Sequence, residues 1–161
     1  MTVLEHSIEI NQAVARAFAL ARQVERYPEF MKDYLESRII ERGPDGDVVE
    51  RAALVKGRRY VWKSRVRFQE NRGVHFEHLE GPLHGMQVHW DFLPLAPNRT
   101  RLSITHRFRI AHALAPVGWA LERWYYKPHI NDIANRVVVS FKQACEAMPA
   151  FAVPTETAAR S

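Results

Sequence analysis

The stretch RRYVWKSRVRFQENRG, Arg58 to Gly73, carries the clearest pattern in the chain. Tyr60, Trp62, Ser64, Val66 and Phe68 occupy one parity. Arg59, Lys63, Arg65 and Arg67 occupy the other, with Val61 among them. Side chains alternate across a strand, so this is a strand with one face buried and one face wet. The NRG at its end turns the chain back. The flanking segments repeat the theme. YLESRIIERG ends at the turn GPDGD, and VVERAALVKG leads into the opening strand. VHFEHLEGPL follows it, and GMQVHWDFLPL then places Met86, Val88, Trp90 and Phe92 together. After the turn APNR, TRLSITHRFRI puts Leu102, Ile104, His106, Phe108 and Ile110 on one side and Arg101, Ser103, Thr105, Arg107 and Arg109 on the other. About six consecutive strands with short turns define an antiparallel meander, whose apolar face needs a cover.

The ends of the chain supply it. VLEHSIEI alternates and reads as a first strand. NQAVARAFALARQV follows as a helix with Asn11 as its N-cap and a stripe of Val14, Ala17, Phe18 and Ala21. It stops near Pro28. From about Ala113 to Met148, Val117, Leu121, Trp124, Ile130, Ile133 or Ala134, Val137, Phe141, Ala144 and Met148 recur at helical spacing, with a kink or division expected at Pro128. Residues 149–161 lose periodicity and read as a mobile tail after a single domain of residues 1–148.

Composition sets the outer limits. The chain has 161 residues, 47% of them apolar and 25% charged, which fits one globular domain. No apolar run is long enough to span a bilayer. The acidic start MTVLEHSIEI is unlike a signal peptide, so a cytoplasmic location is expected. A single cysteine, Cys145, excludes an internal disulfide and a cysteine metal cluster, and its helical position predicts a buried, inert thiol. The net charge is +5, unevenly spread. Residues 51–110 hold 12 Lys+Arg against 4 Asp+Glu, and residues 1–50 hold 6 against 10.

No phosphate loop, nucleophile elbow or helical zinc motif is present, and no cofactor is expected. His75 and His78 in HFEH are three apart, which puts them on opposite faces of a strand. His84 and His89 have the same kind of odd spacing. Neither pair can readily hold one metal, and no metal site is expected.

Three further stretches carry a family likeness: VERYPEF (24–30), LEGPLHGMQVHWDFLPL (79–95) and ANRVVVSFKQACEAM (134–148). In this order, on this pattern of elements, the chain from Val3 to Met148 resembles the START-like helix-grip superfamily (SRPBCC), in its polyketide cyclase and coenzyme-Q-binding branch. That branch includes ribosome-association toxin proteins. The resemblance implies an α+β helix-grip fold. In it a curved antiparallel sheet of about six or seven strands wraps around a long C-terminal helix, with two short helices after the first strand. It also implies an apolar cavity between sheet and helix. VERYPEF then reads either as a gate, with Tyr27 and Phe30 at the cavity mouth, or as a turn that caps a core.

Within such a cavity, Tyr60, Trp62, Ser64, Phe68, Phe76, His78, Trp90, His106 and Trp124 are the expected lining. Tyr and Ser hydroxyls and Trp N–H groups would give an apolar pocket a few directional contacts. His106 interrupts an apolar stripe and is the candidate acid or base. Its alternative reading is a hydrogen-bonded core histidine. Aromatising members of the family commonly use a cavity arginine, and no inward arginine is assigned here. The leading expectation is therefore a protein that binds a small hydrophobic molecule, such as a lipid, a quinone or a polyketide. The alternatives are a polyketide cyclase/dehydrase and a ribosome-associated regulator. Lys63, Arg65, Arg67, Arg101, Arg107 and Arg109, with Arg58, Arg59 and Arg72 near strand ends, form a basic outer face. That face reads either as solvated surface or as a site for an anionic partner, such as an acyl carrier protein, ribosomal RNA or a membrane surface.

Overall fold

The computed structural model describes residues 1–110 and 114–149. Seven strands form one sheet: β1 (Thr2–Ile10), β2 (Tyr34–Glu41), β3 (Asp47–Val55), β4 (Arg58–Gln69), β5 (Gly73–His78), β6 (Gln87–Ala96) and β7 (Arg99–Phe108). Their order is β1-β7-β6-β5-β4-β3-β2, and every neighbouring pair is antiparallel. The meander from β2 to β7 is therefore as the alternation predicts, with β1 closing against β7.

Short turns hold this register. Lys56 and Gly57 have φ of 49° and 74° and form a two-residue turn that pairs Val55 with Arg58, the backbone that hairpins of this length require. Gly73 begins β5 where a Cβ would lie 2.6 Å from the Trp90 carbonyl oxygen, so only glycine fits.

Two short helices follow β1: α1 (Val14–Ala21) and, after a single 3-10 turn at Val24–Arg26, α2 (Tyr27–Phe30). Asn11 is not the cap expected of it, because α1 begins two residues later than that role requires. Gln12 organises this end instead. Its side-chain oxygen accepts from the Ala13 N–H and its amide donates to the Cys145 carbonyl, while the Thr100 hydroxyl donates to the Gln12 backbone carbonyl. Pro28 does not stop a helix either. It sits in the first turn of α2, where its missing N–H has no intrahelical role.

The long C-terminal helix comprises α3 (Ala115–Leu121), a π-helical turn (Glu122–Tyr126) and α4 (Lys127–Ala147). The π turn ends just before Pro128. Proline cannot donate to the carbonyl four residues back, and a wider turn at that point absorbs the missing bond. Ile130, Ala134, Val137, Val138, Phe141 and Cys145 of α4 are buried against the sheet. Burial pushes the Cys145 thiol up to about 12. Val117, Leu121 and Trp124 continue the same sequence stripe but are exposed. The stripe leaves the sheet at the π turn, which shifts the helical phase.

The core is densest under α1 and α2. Phe141 meets Trp90 at 5.2 Å between ring centroids and Phe92 at 6.1 Å. Phe18 packs edge-on against Phe92. The expected tail, residues 149–161, lies outside the described residues save for Pro149.

Candidate functional site

At the other end of the groove between sheet and α4 the side chains do not meet, and a cavity of about 450 Å³ remains. Six of the expected residues line it: Tyr60, Trp62, Phe76, His78, Trp90 and His106. The strand pleat brings them together, because each lies on the inward parity of β4, β5, β6 or β7. From α4, Ile130, Ile133, Ala134 and Val137 complete an apolar wall.

Five expected residues lie elsewhere. Tyr27 is fully buried, stacks on Trp90 at 5.8 Å and donates its hydroxyl to the Ala21 carbonyl at 2.7 Å. Phe30 packs on Tyr27 and Phe141. VERYPEF therefore packs into the filled core, and neither Tyr27 nor Phe30 lines the cavity. Phe68 is at the far end of β4, under the Arg22 guanidinium. Ser64 points inward but is walled in below the cavity, with its hydroxyl lacking a protein partner. Trp124 is 73% exposed on the outer side of the π turn.

The residue that sequence reasoning missed is Arg51. The residue is only 4% exposed, and it lines the cavity. Its Cζ lies 4.3 Å from the Phe76 ring centroid, 5.5 Å from Trp62 and 5.9 Å from Tyr34. The ring faces partly compensate the buried charge. No ion pair to Arg51 is present among the described residues, and its Nε has no hydrogen-bond partner. The two acids at the cavity edge are occupied, Asp33 by Arg136 at 2.6 Å and Glu80 by Lys63 at 3.5 Å. A buried cation without a carboxylate is unusual and costly.

Arg51 was hidden because β3 is apolar on both parities: Val48 and Val49, then Ala52 and Ala53, are all buried. The signal that finds it is the Lys56-Gly57 turn. A two-residue hairpin pairing Val55 with Arg58 must pair Arg51 with Trp62, and directly paired residues share a face.

Two imidazoles face the same space. His78 stacks on Trp62 at 6.0 Å. Burial, then the Arg51 charge and His106, push its pKa down to about 3. Burial, then His6, push His106 down to about 4. Both rings are therefore neutral at pH 7. The Nδ1 of His106 has no protein partner, which does not fit the reading of a satisfied core histidine. Trp62 Nε1 is likewise unpaired. The cavity thus concentrates one fixed cation, two neutral imidazoles and an indole donor within apolar walls.

The outer face differs. His75 points away from His78, as its spacing requires, and stacks on His89 at 4.2 Å. Part of the face's charge is paired, Arg59 with Glu36, Lys63 with Glu80, Arg67 with Glu77 and Arg101 with Glu9. No helix among the described residues is long and apolar enough to cross a membrane.

A curled seven-stranded sheet gripping a long helix, with a polar-floored cavity between them, defines a helix-grip ligand-cavity protein. A family model described as "Polyketide cyclase / dehydrase and lipid transport" matches residues 10–152, and the chain belongs to that family. It is 32% identical over 126 residues to the granaticin polyketide synthase bifunctional cyclase/dehydratase of Streptomyces violaceoruber, a match covering 74% of this chain. The match spans 39% of that relative's length. Among solved structures, the Zhui aromatase/cyclase from Streptomyces sp. R1128 superposes with a TM-score of 0.81 at 19% identity, covering 90% of this chain and 93% of that one. The di-domain ARO/CYC BexL from the BE-7585A biosynthetic pathway gives 0.70 at 20% identity, over 89% of this chain and 46% of that one. A START superfamily protein from Mycobacterium smegmatis gives 0.67 at 15%, over 89% and 94%. These structures share the fold.

Proposed function

We propose that this chain binds a polyketide-like molecule with several carbonyl groups and promotes its cyclisation and dehydration. The observation that carries this reading is the buried, unpaired Arg51 guanidinium facing two neutral imidazoles in an apolar cavity. A guanidinium can hold a carbonyl or acidic oxygen in a carrier as well, but beside two neutral imidazoles it is also placed to stabilise a developing enolate, which moves the preference from simple binding to chemistry.

The residues fit the steps. Loss of a proton from a methylene between two carbonyls leaves an enolate, and the Arg51 charge is placed to neutralise its oxygen. His106 or His78, neutral at pH 7, accepts that proton. The enolate carbon bonds to a second carbonyl carbon, whose oxygen takes the proton back and becomes a hydroxyl. That hydroxyl leaves as water with the second hydrogen of the former methylene carbon, and a carbon–carbon double bond forms between the two carbons. Apolar walls fold the chain so that the reacting carbons meet, and positioning supplies much of the rate.

The test uses a synthetic poly-β-ketone thioester and follows ring formation with loss of water by mass spectrometry. The expected result is turnover by the native chain, lost in Arg51→Met and partly kept in Arg51→Lys. Product formation no faster than in buffer would sink the enzymatic reading. Tight binding of the thioester without turnover would return the protein to the carrier class.

A further inference from the structure

We infer that the cavity mouth docks on an anionic lipid surface through the aromatic arm of α3 and the π turn together with the tip of the β3–β4 hairpin. This inference stands apart from the carbonyl chemistry, since it uses none of the cavity's polar groups.

The arm is a helix with almost nothing beneath it. Gly118 is the one buried residue of α3, and the π turn has none. Trp119 is 62% exposed and Trp124 73%. Val117, Leu121 and Tyr125 are exposed beside them and border a shallow apolar groove with Pro116 and Ala120. Single exposed apolar residues are ordinary, but a groove lined by Val117, Leu121, Trp124 and Tyr125 on a helix that also exposes Trp119 is not. Across the mouth, Leu54, Tyr60 and Val61 are also exposed. The Tyr60 and Tyr125 side chains come near each other across the opening. Leu54, Tyr60, Val61 and Tyr125 also line the cavity, so these four form an apolar rim at the opening, and the groove on the arm continues it outward from Tyr125.

The unpaired charge around this rim has one sign, since the two acids at the cavity edge, Asp33 and Glu80, are held by Arg136 and Lys63. Lys56 and Arg58 stand at the hairpin, and Arg123 and Lys127 on the helical arm. None of the four has an ion pair among the described residues. The arm's one acid, Glu122, is turned inward to accept from the Thr2 hydroxyl and the Ile110 N–H.

Exposed Trp and Tyr beside Lys and Arg is the chemistry of a membrane interface. Amphipathic rings settle at the headgroup level, and each nearby cation is drawn to anionic lipid. A folded protein partner fits less well. Protein interfaces place their apolar residues in a contiguous centre and their polar residues at the edge. Here the centre is an opening, and the apolar residues ring it. A fluid surface can follow that outline. Docking in this way would hold the mouth against the lipid, where an apolar ligand can exchange without crossing water.

The experiment is co-sedimentation of the full chain with vesicles of phosphatidylcholine alone and of phosphatidylcholine with phosphatidylserine. Tryptophan quenching by brominated lipid is read in parallel. Binding is expected on the anionic vesicles, weakened by salt, with quenching of exposed indoles. Trp119→Ser/Trp124→Ser and Lys56→Glu/Arg58→Glu should each weaken it by about tenfold or more, with the melting temperature confirming that each variant folds. Trp124→Ser alone, at the most exposed position, serves if the double variant melts early. Absence of binding by the native chain overturns the inference, as does binding that survives both variants. The inference also falls if these variants abolish self-association or capture of an acidic acyl carrier protein while vesicle binding is undetectable.

Discussion

The groove between sheet and α4 has two ends built from the same strands by the same alternation, and they reach opposite outcomes. At one end Tyr27, Phe18, Phe92 and Phe141 interlock, with no polar group left over once the Tyr27 hydroxyl has reached Ala21. At the other, Arg51, Trp62, His78 and His106 surround open space and keep unpaired polar atoms. Trp90 touches both, stacking on Tyr27 with one side and lining the cavity with the other. What differs is the cover. The filled end has α1 and α2 pressed onto it. The open end has only the first turns of α4, because α3 swings clear at the π turn. An inward side chain is thus a core residue or a site residue according to what lies across from it.

This contrast can be broken by substitution. The largest effect expected is on stability at the filled end. Phe141→Ala should destabilise the fold by about 3–5 kcal/mol, read by urea denaturation, because its three aromatic neighbours, Phe30, Trp90 and Phe92, cannot collapse into the space. Equal loss from Ile133→Ala at the open end would erase the distinction between the two ends.

Arg51→Met should act the other way. Turnover of a poly-β-ketone thioester falls by about 10²–10³-fold, while stability is unchanged or improved, since a buried unpaired cation is replaced by an apolar chain. A loss of stability comparable to that of Phe141→Ala would assign Arg51 to the core.

The histidines sharpen the comparison through pH. His78 and His106 have folded values of about 3 and 4, below the 6.5 of the unfolded chain. As pH falls below about 6.5 the unfolded chain binds protons that the folded one refuses, so stability drops, by up to about 1.4 kcal/mol per pH unit for each group. The loss continues until the folded values are reached. Denaturation midpoints measured from pH 7 to 4 should show this slope, and His106→Asn should reduce it. A slope unchanged by that substitution would mean His106 titrates normally.

The smallest effect belongs to Tyr27→Phe, which leaves the Ala21 carbonyl without its donor and should cost about 1 kcal/mol, visible as a shift in the melting temperature with turnover unaffected. Altered turnover would restore Tyr27 to the mouth.

Much of this was legible in the chain. The strand parities of β4, β6 and β7 are written in side chains that alternate strictly, so Trp62, Trp90 and His106 were placed inward correctly. Arg51 was not, because β3 is apolar on both parities and alternation is silent there. Only the hairpin register recovers it. Trp124 was misplaced because helical spacing assumes one constant phase, and the π turn resets it. Tyr27 and Phe30 were misplaced because a motif of buried aromatics looks alike whether it lids a cavity or caps a core.

The sequence by itself determined the element order, the meander, the inward faces of most strands and the gripping helix, since these follow from periodicity and turn chemistry that neighbours impose on one another. Which inward residues remain in contact with open space was decided only by the tertiary structure. Packing depends on volumes brought together from distant parts of the chain, and no local pattern records where α3 departs from the sheet or which buried cation is left without an anion.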